Sequence, residues 1–344
     1  MTTGTERKVY GAIDLHSTNL WLTVVEADGR EVLSKRVPLD LKRVLEVLEP
    51  YRELLVGVAV ESTFNWYWLV DGLEENGFAV KLANPAAMVQ YKGLKRTGDK
   101  SDARWIAELF RLGILAEGYI YPKAERPLRD LLRRRLLIVR QRTQMILSLQ
   151  SMLMRECGLS AKKAELLKWE EAEVNGYFPD EFSQQAALAL QQTALRQDEL
   201  VKELEAAALG RMKLTDLFKR LLTLPGVGTV LGLTICLESG PAARFPGPGN
   251  YASYCRAVDS CRESNQKKKG ENNRKNGNKY LGWAFVEAAN FAPRFDPRIR
   301  KWFDRKQAKC GRPVAVKALA CKLAKAAYFI MRDEVDYDPV KMFG

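Results

Sequence analysis

The sequence predicts an α/β domain over residues 1–124, followed by mostly α-helical structure through residue 344. Three features point to it. Short runs of β-branched and aromatic residues, separated by turn residues, fill the first third. Two long stretches of helical apolar spacing occupy the middle. Beyond Met212, helical segments are joined by loops rich in Gly, Pro and Lys.

Lys8 to Leu15 is rich in β-formers, and Asn19 to Glu26 alternates Leu, Leu and Val with polar residues. Ala27-Asp28-Gly29-Arg30 is a hairpin turn before a third strand, Glu31 to Val37. A helix over Leu41 to Tyr51 leads to the apolar run Leu54 to Val60, a buried strand that ends at Glu61. Trp66 to Asn76 reads as a helix stopped by Gly77, Ala79 to Ala83 as a strand stopped by Pro85, and Ser101 to Leu112 as a further helix. From Pro127 to Cys157 the apolar spacing is helical and uninterrupted, with six arginines between Arg129 and Arg142. A second stretch, Phe182 to Leu209, repeats Leu188, Leu195, Leu200 and Leu204, which suits an antiparallel hairpin or an intermolecular coiled coil. Residues 125–210 are therefore expected to form a helical coiled-coil arm that joins copies of the chain into a dimer or tetramer. A bundle packed within one chain fits the same periodicity. Residues 211–344 form the third expected domain. Within it, residues 262–279 contain almost no apolar side chain and read as a solvated loop or a strand pair ordered by a partner.

Composition narrows the function. Hydrophobic residues make 47% and charged residues 28%, which fits a globular chain. The uncharged run Leu221–Leu237 is 17 residues long and broken by Pro225 and glycines, too short and interrupted to span a bilayer. The polar opening MTTGTERK argues against a secretory signal, so a cytoplasmic, nucleoid-associated bacterial protein is expected. Six cysteines without CxxC spacing read as reduced thiols. The single histidine, His16, excludes paired-histidine zinc sites and reads as structural or supporting, leaving catalysis to carboxylates. The net charge of +13 lies in the last third, where residues 211–344 carry 26 Lys and Arg against 12 Asp and Glu. Such asymmetry favours a nucleic-acid partner.

Four acids stand out. Asp14 follows small and apolar residues in GAIDLHSTN, and Glu61 ends the apolar run VGVAVES; a carboxylate in either place is costly unless it meets a cation or donor. Asp99 and Asp102, in RTGDKSDA, are three residues apart at a helix start and so share a face, although an N-cap role for Asp99 fits equally well. On a ribonuclease-H-like strand order the four converge into an oxygen-only site for Mg2+ or Mn2+. Two such ions clamp the attacking and leaving oxygens of a phosphodiester.

Near the other end, Leu224-Pro225-Gly226-Val227-Gly228 resembles the turn of a helix-hairpin-helix, in which Pro225, Gly226 and Gly228 let backbone N–H groups approach phosphate. A glycine turn joining two core helices is the alternative. Tyr251, Tyr254, Arg256 and Arg262 precede Lys267, Lys268, Lys269, Arg274, Lys275 and Lys279, a mixture suited to phosphate contacts and base stacking.

Taken together, GAIDLHSTN, VAVES, RTGDKSDA, LPGVG, FPGPGNYASY, ESN and NRKNGNKYLGWAFVEAA resemble a transposase of the insertion-sequence-110 family, related to the Piv-type DNA invertases, over nearly the whole chain. The resemblance implies a RuvC-like domain with an Asp-Glu-Asp-Asp set and a C-terminal transposase domain with a catalytic serine ahead of a basic run and a Gly-Asn motif. The acids map onto Asp14, Glu61, Asp99 and Asp102, and the serine onto Ser264, with Ser260 as second choice. The chain departs from the pattern at Asn265, where the family often has glycine, and at Gly98, where it often has threonine. The family mechanism implies a phosphoserine link to DNA, assisted by metal on the acids, in a composite site that requires the domains to close. It also implies a structured noncoding guide (bridge) RNA that pairs with donor and target double-stranded DNA. Two competing expectations are a metal-dependent nuclease of the Holliday-junction resolvase type, with water as nucleophile, and a non-catalytic nucleic-acid-binding protein.

Overall fold

The computed structural model describes residues 7–88, 98–212, 215–271 and 276–343, and the chain divides into two compact units, Met1–Lys123 and Ala124–Gly344. In the first unit, β1 (Val9–Leu15), β2 (Asn19–Glu26) and β3 (Glu31–Pro38) form an antiparallel meander. The β2–β3 turn is closed by Asp28, whose Oδ1 accepts the Arg30 amide at 2.9 Å. After α1 (Leu41–Leu48), Pro50 diverts the chain into a 3-10 segment, Glu49–Leu54, so the helix ends short of Tyr51. β4 (Leu55–Glu61) runs parallel to β1, and β5 (Val80–Ala83), which follows α2 (Tyr67–Glu75), runs parallel to β4. Next come α3 (Asp99–Arg111) and a two-residue strand, β6 (Glu117–Gly118), antiparallel to β5. The sheet order is β3-β2-β1-β4-β5-β6, and its first five strands have the ribonuclease-H-like arrangement.

The pleat of β1 and β4 decides where the acids fall. Val9, Ile13 and Leu15 of β1, with Val58 and Val60 of β4, join a core that includes Val44, Leu48, Leu69 and Leu73 from α1 and α2. Alternate residues point to the other face. There Ala12, Ala59 and Ala83 meet Ile106 and Ala107 of α3. Side chains this small let α3 lie close on the sheet. Asp14 and Glu61 are the next positions on that face, one step past the Ala12↔Ala59 pair of the parallel ladder.

The second unit opens with α4 (Arg126–Cys157), the short α5 (Lys163–Leu166) and α6 (Glu171–Tyr177), and α7 (Glu181–Met212). Arg135 pairs with Glu205 and Arg142 with Asp198, so seven residues forward on α4 is seven back on α7. The two helices form an antiparallel hairpin within one chain. Its seam on α7 is Ala187, Ala194, Val201 and Ala208, spaced by seven and all buried. Leu188, Leu195, Leu200 and Leu204, the residues of the sequence pattern, flank that seam half-buried, because alanines at its centre let the helices approach. Leu166, Val174 and Phe178 of the α5–α6 region close one end against Ile146, Leu149 and Leu153.

The remaining elements are α8 (Asp216–Leu221), α9 (Thr229–Ser239), α10 (Pro248–Tyr254), β7 (Arg262–Ser264), β8 (Lys267–Gly270), α11 (Lys279–Phe291), α12 (Pro297–Cys310), α13 (Arg312–Asp333) and α14 (Pro339–Phe343). Tyr251 is wholly buried in their core, with its hydroxyl 2.7 Å from that of Ser239. It therefore cannot stack on a base. The LPGVG turn joins α8 to α9, and Gly226 has φ +83°, where a Cβ would stand 2.2 Å from the Ala288 carbonyl oxygen. Gly226→Ala is expected to cost at least about 2 kcal/mol, since both backbone conformation and space require glycine. A denaturation midpoint within error of the parent would contradict this.

Buried Glu238, 3% exposed, ties three helices together. Its carboxylate accepts the Arg133 guanidinium at 2.6 and 2.7 Å and the Asn278 amide at 2.7 Å. Asn278 also caps α11, accepting the Tyr280 and Leu281 amides at 2.8 and 3.2 Å. The preceding Gly277 has φ +88°, and a Cβ there would lie 2.5 Å from the Tyr254 carbonyl oxygen. The Gly-Asn motif thus has an architectural basis in this chain. Among the described residues, no helix is long and apolar enough to cross a membrane.

Candidate active site

Asp14, 2% exposed, sits near the end of β1, and Glu61 is the last residue of β4. Asp99 and Asp102 lie in the first turn of α3, where the helix dipole favours negative charge. The N-cap is Gly98, so Asp99 is a helical residue and not the cap. His16 joins them: its Nε2 is 3.1 Å from Asp14 Oδ2 and 3.3 Å from Asp99 Oδ1. The loop after β4 fixes the His16 backbone, since Asn65 Nδ2 donates to the His16 carbonyl at 2.9 Å. On the other side, Glu61 and Asp102 line a cavity of about 300 Å³ with Pro85, Met88, Trp105 and Ile106. Asp14 is common to both groupings, because Glu61 hydrogen-bonds to it.

Burial, then the hydrogen bond and negative charge of Asp14, then the charge of Asp102, push the Glu61 carboxyl up to about 8. At neutral pH it keeps its proton. In the unfolded chain Glu61 ionises near 4.5, so the folded state holds the extra proton between about pH 4.5 and 8 and loses stability as pH rises through that window. The melting temperature of metal-free protein is expected to fall across pH 5–8, less so in Glu61→Gln. Divalent cation should raise it more at pH 8 than at pH 6. Parallel melting profiles for the two proteins would contradict the assignment.

The residues fit a divalent cation. Asp14 Oδ2 and His16 Nε2 are shielded from solvent, and neither has a hydrogen-bond partner among the described residues. One donor atom each from Asp14, His16 and Asp99 lie within 4.8 Å of one another, a spread that a single ion spans with bonds of about 2.1–2.4 Å. The oxygen-only expectation named the four acids alone; beside them the structure places an imidazole, with His16 between Asp14 and Asp99. The missed signal was nearness in sequence: His16 follows the end of β1 directly, two residues beyond Asp14.

Ser264 lies in the second unit, exposed at the end of β7 and paired with Lys267 of β8. Between them Asn265 and Gln266 both have positive φ, 53° and 58°, forming a two-residue hairpin turn of the mirror-image type. Asn tolerates this left-handed region better than most residues. The departure from glycine at position 265 therefore preserves the turn that presents Ser264. Ser260 lies outside any strand, half-buried before β7.

Of the basic and aromatic residues, Tyr254 is half-buried, with the Arg244 guanidinium 4.6 Å over its ring. Arg256 has φ 53° and donates from Nε to the Gly277 carbonyl at 3.1 Å. Lys267 and Lys269 are exposed on β8, and Lys279 is exposed at the start of α11 with Nζ 5.2 Å from the Tyr280 ring centre. Arg262 and Lys268 are strand positions whose side chains lie outside the description, as do residues Arg274 and Lys275 entirely. Pro225 and Gly228 flank the packed Gly226, and a Cβ on Gly228 would meet nothing within 4 Å.

Two family models match the chain. Residues 12–157 match one described as a transposase, of the DEDD type named for IS110, and residues 218–304 match one described as a transposase of the IS116/IS110/IS902 family. No curated protein matches.

Proposed function

The chain belongs to the IS110 family of transposases and is a DNA transposase or recombinase, and from that premise we propose that it cuts and rejoins donor and target DNA through a serine-linked intermediate. The observation that carries this is the meeting of Asp14, Glu61, Asp99 and Asp102 at one end of β1, β4 and α3. Those acids would hold Mg2+ or Mn2+, which when bound supplies Lewis-acid stabilisation of phosphate charge.

Ser264 attacks phosphorus, forming an Oγ–P ester as the bond to one sugar oxygen breaks. The serine proton passes to a carboxylate or water, and a proton delivered from that group or water to the departing sugar oxygen completes a sugar hydroxyl, so that no net proton is gained or lost. Rejoining reverses the step with a new sugar hydroxyl. A serine without a histidine base is a weak nucleophile until a nearby carboxylate accepts its proton or a cation lowers its proton affinity. The acids and the serine are proposed to act on one phosphate, in one chain or between chains of a dimer or tetramer. Phosphates are held by Arg256, Arg262, Lys267, Lys268, Lys269, Arg274, Lys275 and Lys279, by Tyr254 alongside them, and by the backbone of the helix-hairpin-helix-like turn Pro225–Gly228. A structured guide RNA selects the sites by pairing.

Ser264→Ala is expected to lose both recombination and any covalent protein–DNA product on denaturing gels, with DNA binding retained. A covalent product that persists would reassign the nucleophile to Ser260. Water attack, as in a Holliday-junction resolvase, is favoured by one observation, that the four acids lie together in the first unit. It predicts strand cleavage with no covalent product in the parent protein.

A further inference from the structure

We propose that His16 supplies a nitrogen ligand to a divalent cation shared with Asp14 and Asp99, so that this subsite prefers Mn2+ to Mg2+, while Asp14, Glu61 and Asp102 form an oxygen-only neighbour. The inference rests on the metal-dependent role given above to the acids.

Geometry carries it first. Neighbouring ligands on an octahedral ion with bonds of about 2.1 Å stand roughly 3.0 Å apart. The His16 Nε2 separations of 3.1 Å to Asp14 and 3.3 Å to Asp99 are such edges. An imidazolium shared between two carboxylates would give similar distances, but it would do so through hydrogen bonds. Nε2 makes none among the described residues, nor does Asp14 Oδ2, although both atoms are shielded from water. Both are poised for a partner at their centre and not for each other.

Placement is also fixed in advance. The His16 amide donates to the Asn19 carbonyl at 3.0 Å, and the His16 carbonyl accepts from Asn65 at 2.9 Å. The loop therefore fixes the His16 backbone, with its ring nitrogen 3.1 Å from Asp14. Chemistry then sets the preference. Mg2+ favours oxygen and gives up water reluctantly, whereas imidazole nitrogen suits first-row transition ions. Asp14 serves both subsites, and only the Asp99 side contains nitrogen.

The chain has one histidine, so ¹⁵N-histidine labels His16 alone. Untagged full-length protein loaded with Mn2+ should show ¹⁴N modulation in pulsed electron paramagnetic resonance, replaced by the ¹⁵N pattern in labelled protein. This readout needs no variant and no activity. His16→Gln should remove the modulation and lower the Mn2+/Mg2+ affinity ratio about tenfold by calorimetry, whereas Glu61→Gln should keep the modulation. Mn2+ bound without histidine modulation would overturn the role of His16 and leave the acid centre standing. Failure of parent protein to bind Mn2+ or Mg2+ at all would overturn both.

Discussion

Asp14→Asn is expected to lower metal-dependent strand cleavage by at least about a thousandfold, corresponding to several kcal/mol of lost transition-state stabilisation. The size follows from position. Asp14 is the acid common to both groupings, next to Glu61 on one side and to His16 and Asp99 on the other, so neutralising it weakens every cation position together. The side chain keeps its shape, and the basic surface is far along the sequence, so binding of nucleic acid should be unchanged in a gel-shift assay. The same change removes a buried negative charge whose oxygen lies within 4.8 Å of a carboxylate oxygen of Asp99, and the metal-free protein should melt no lower than the parent. Loss of cleavage with a lower melting temperature and lost binding would mean a folding defect instead.

Glu238→Ala should have the largest effect on stability, about 3 kcal/mol, because it takes the bidentate partner from the half-buried Arg133 guanidinium, leaving it only the longer contact to Asp130, and strips Asn278 of an acceptor. The double change Arg133→Met with Glu238→Leu is expected to recover most of the loss, since an apolar pair of similar volume needs no counter-charge. Urea denaturation of the two variants checks this. Equal destabilisation would show that the pair matters through Asn278 and the α11 cap, not through charge.

Much of this architecture was legible from periodicity. β1, β2 and β3 announced themselves by β-branched residues and an Asp-Gly turn, and the long helices by uninterrupted apolar spacing. Asp14 and Glu61 were legible because each breaks a local rule, following apolar residues on adjoining central strands, whereas Asp99 and Asp102 were legible only as a pair three residues apart at a helix start. Other features were hidden for physical reasons. A lone histidine has no pattern, so His16 emerged only when the turn after β1 brought its ring to Asp14 and Asp99. The hairpin seam was hidden because leucines dominate hydropathy while the buried line, Ala187, Ala194, Val201 and Ala208, is made of small residues. α5 and α6 are too short to show a period, and the β7–β8 hairpin has no apolar face, so its turn rests on Asn265 and backbone geometry alone. Gly226 read as a phosphate-facing glycine and Gly277 only as part of a family motif, yet each is where another backbone comes too close for a Cβ.

The central claim is that acids near the start of the chain and a serine near its end act on one phosphate. Digestion of the denatured protein–DNA product, followed by mass spectrometry, tests it most directly. A nucleotide-bearing peptide containing Ser264 should form only with divalent cation, and should be absent from the Asp14→Asn protein. The same modified peptide formed without cation, or formed as readily when Asp14 is Asn, would contradict a shared centre.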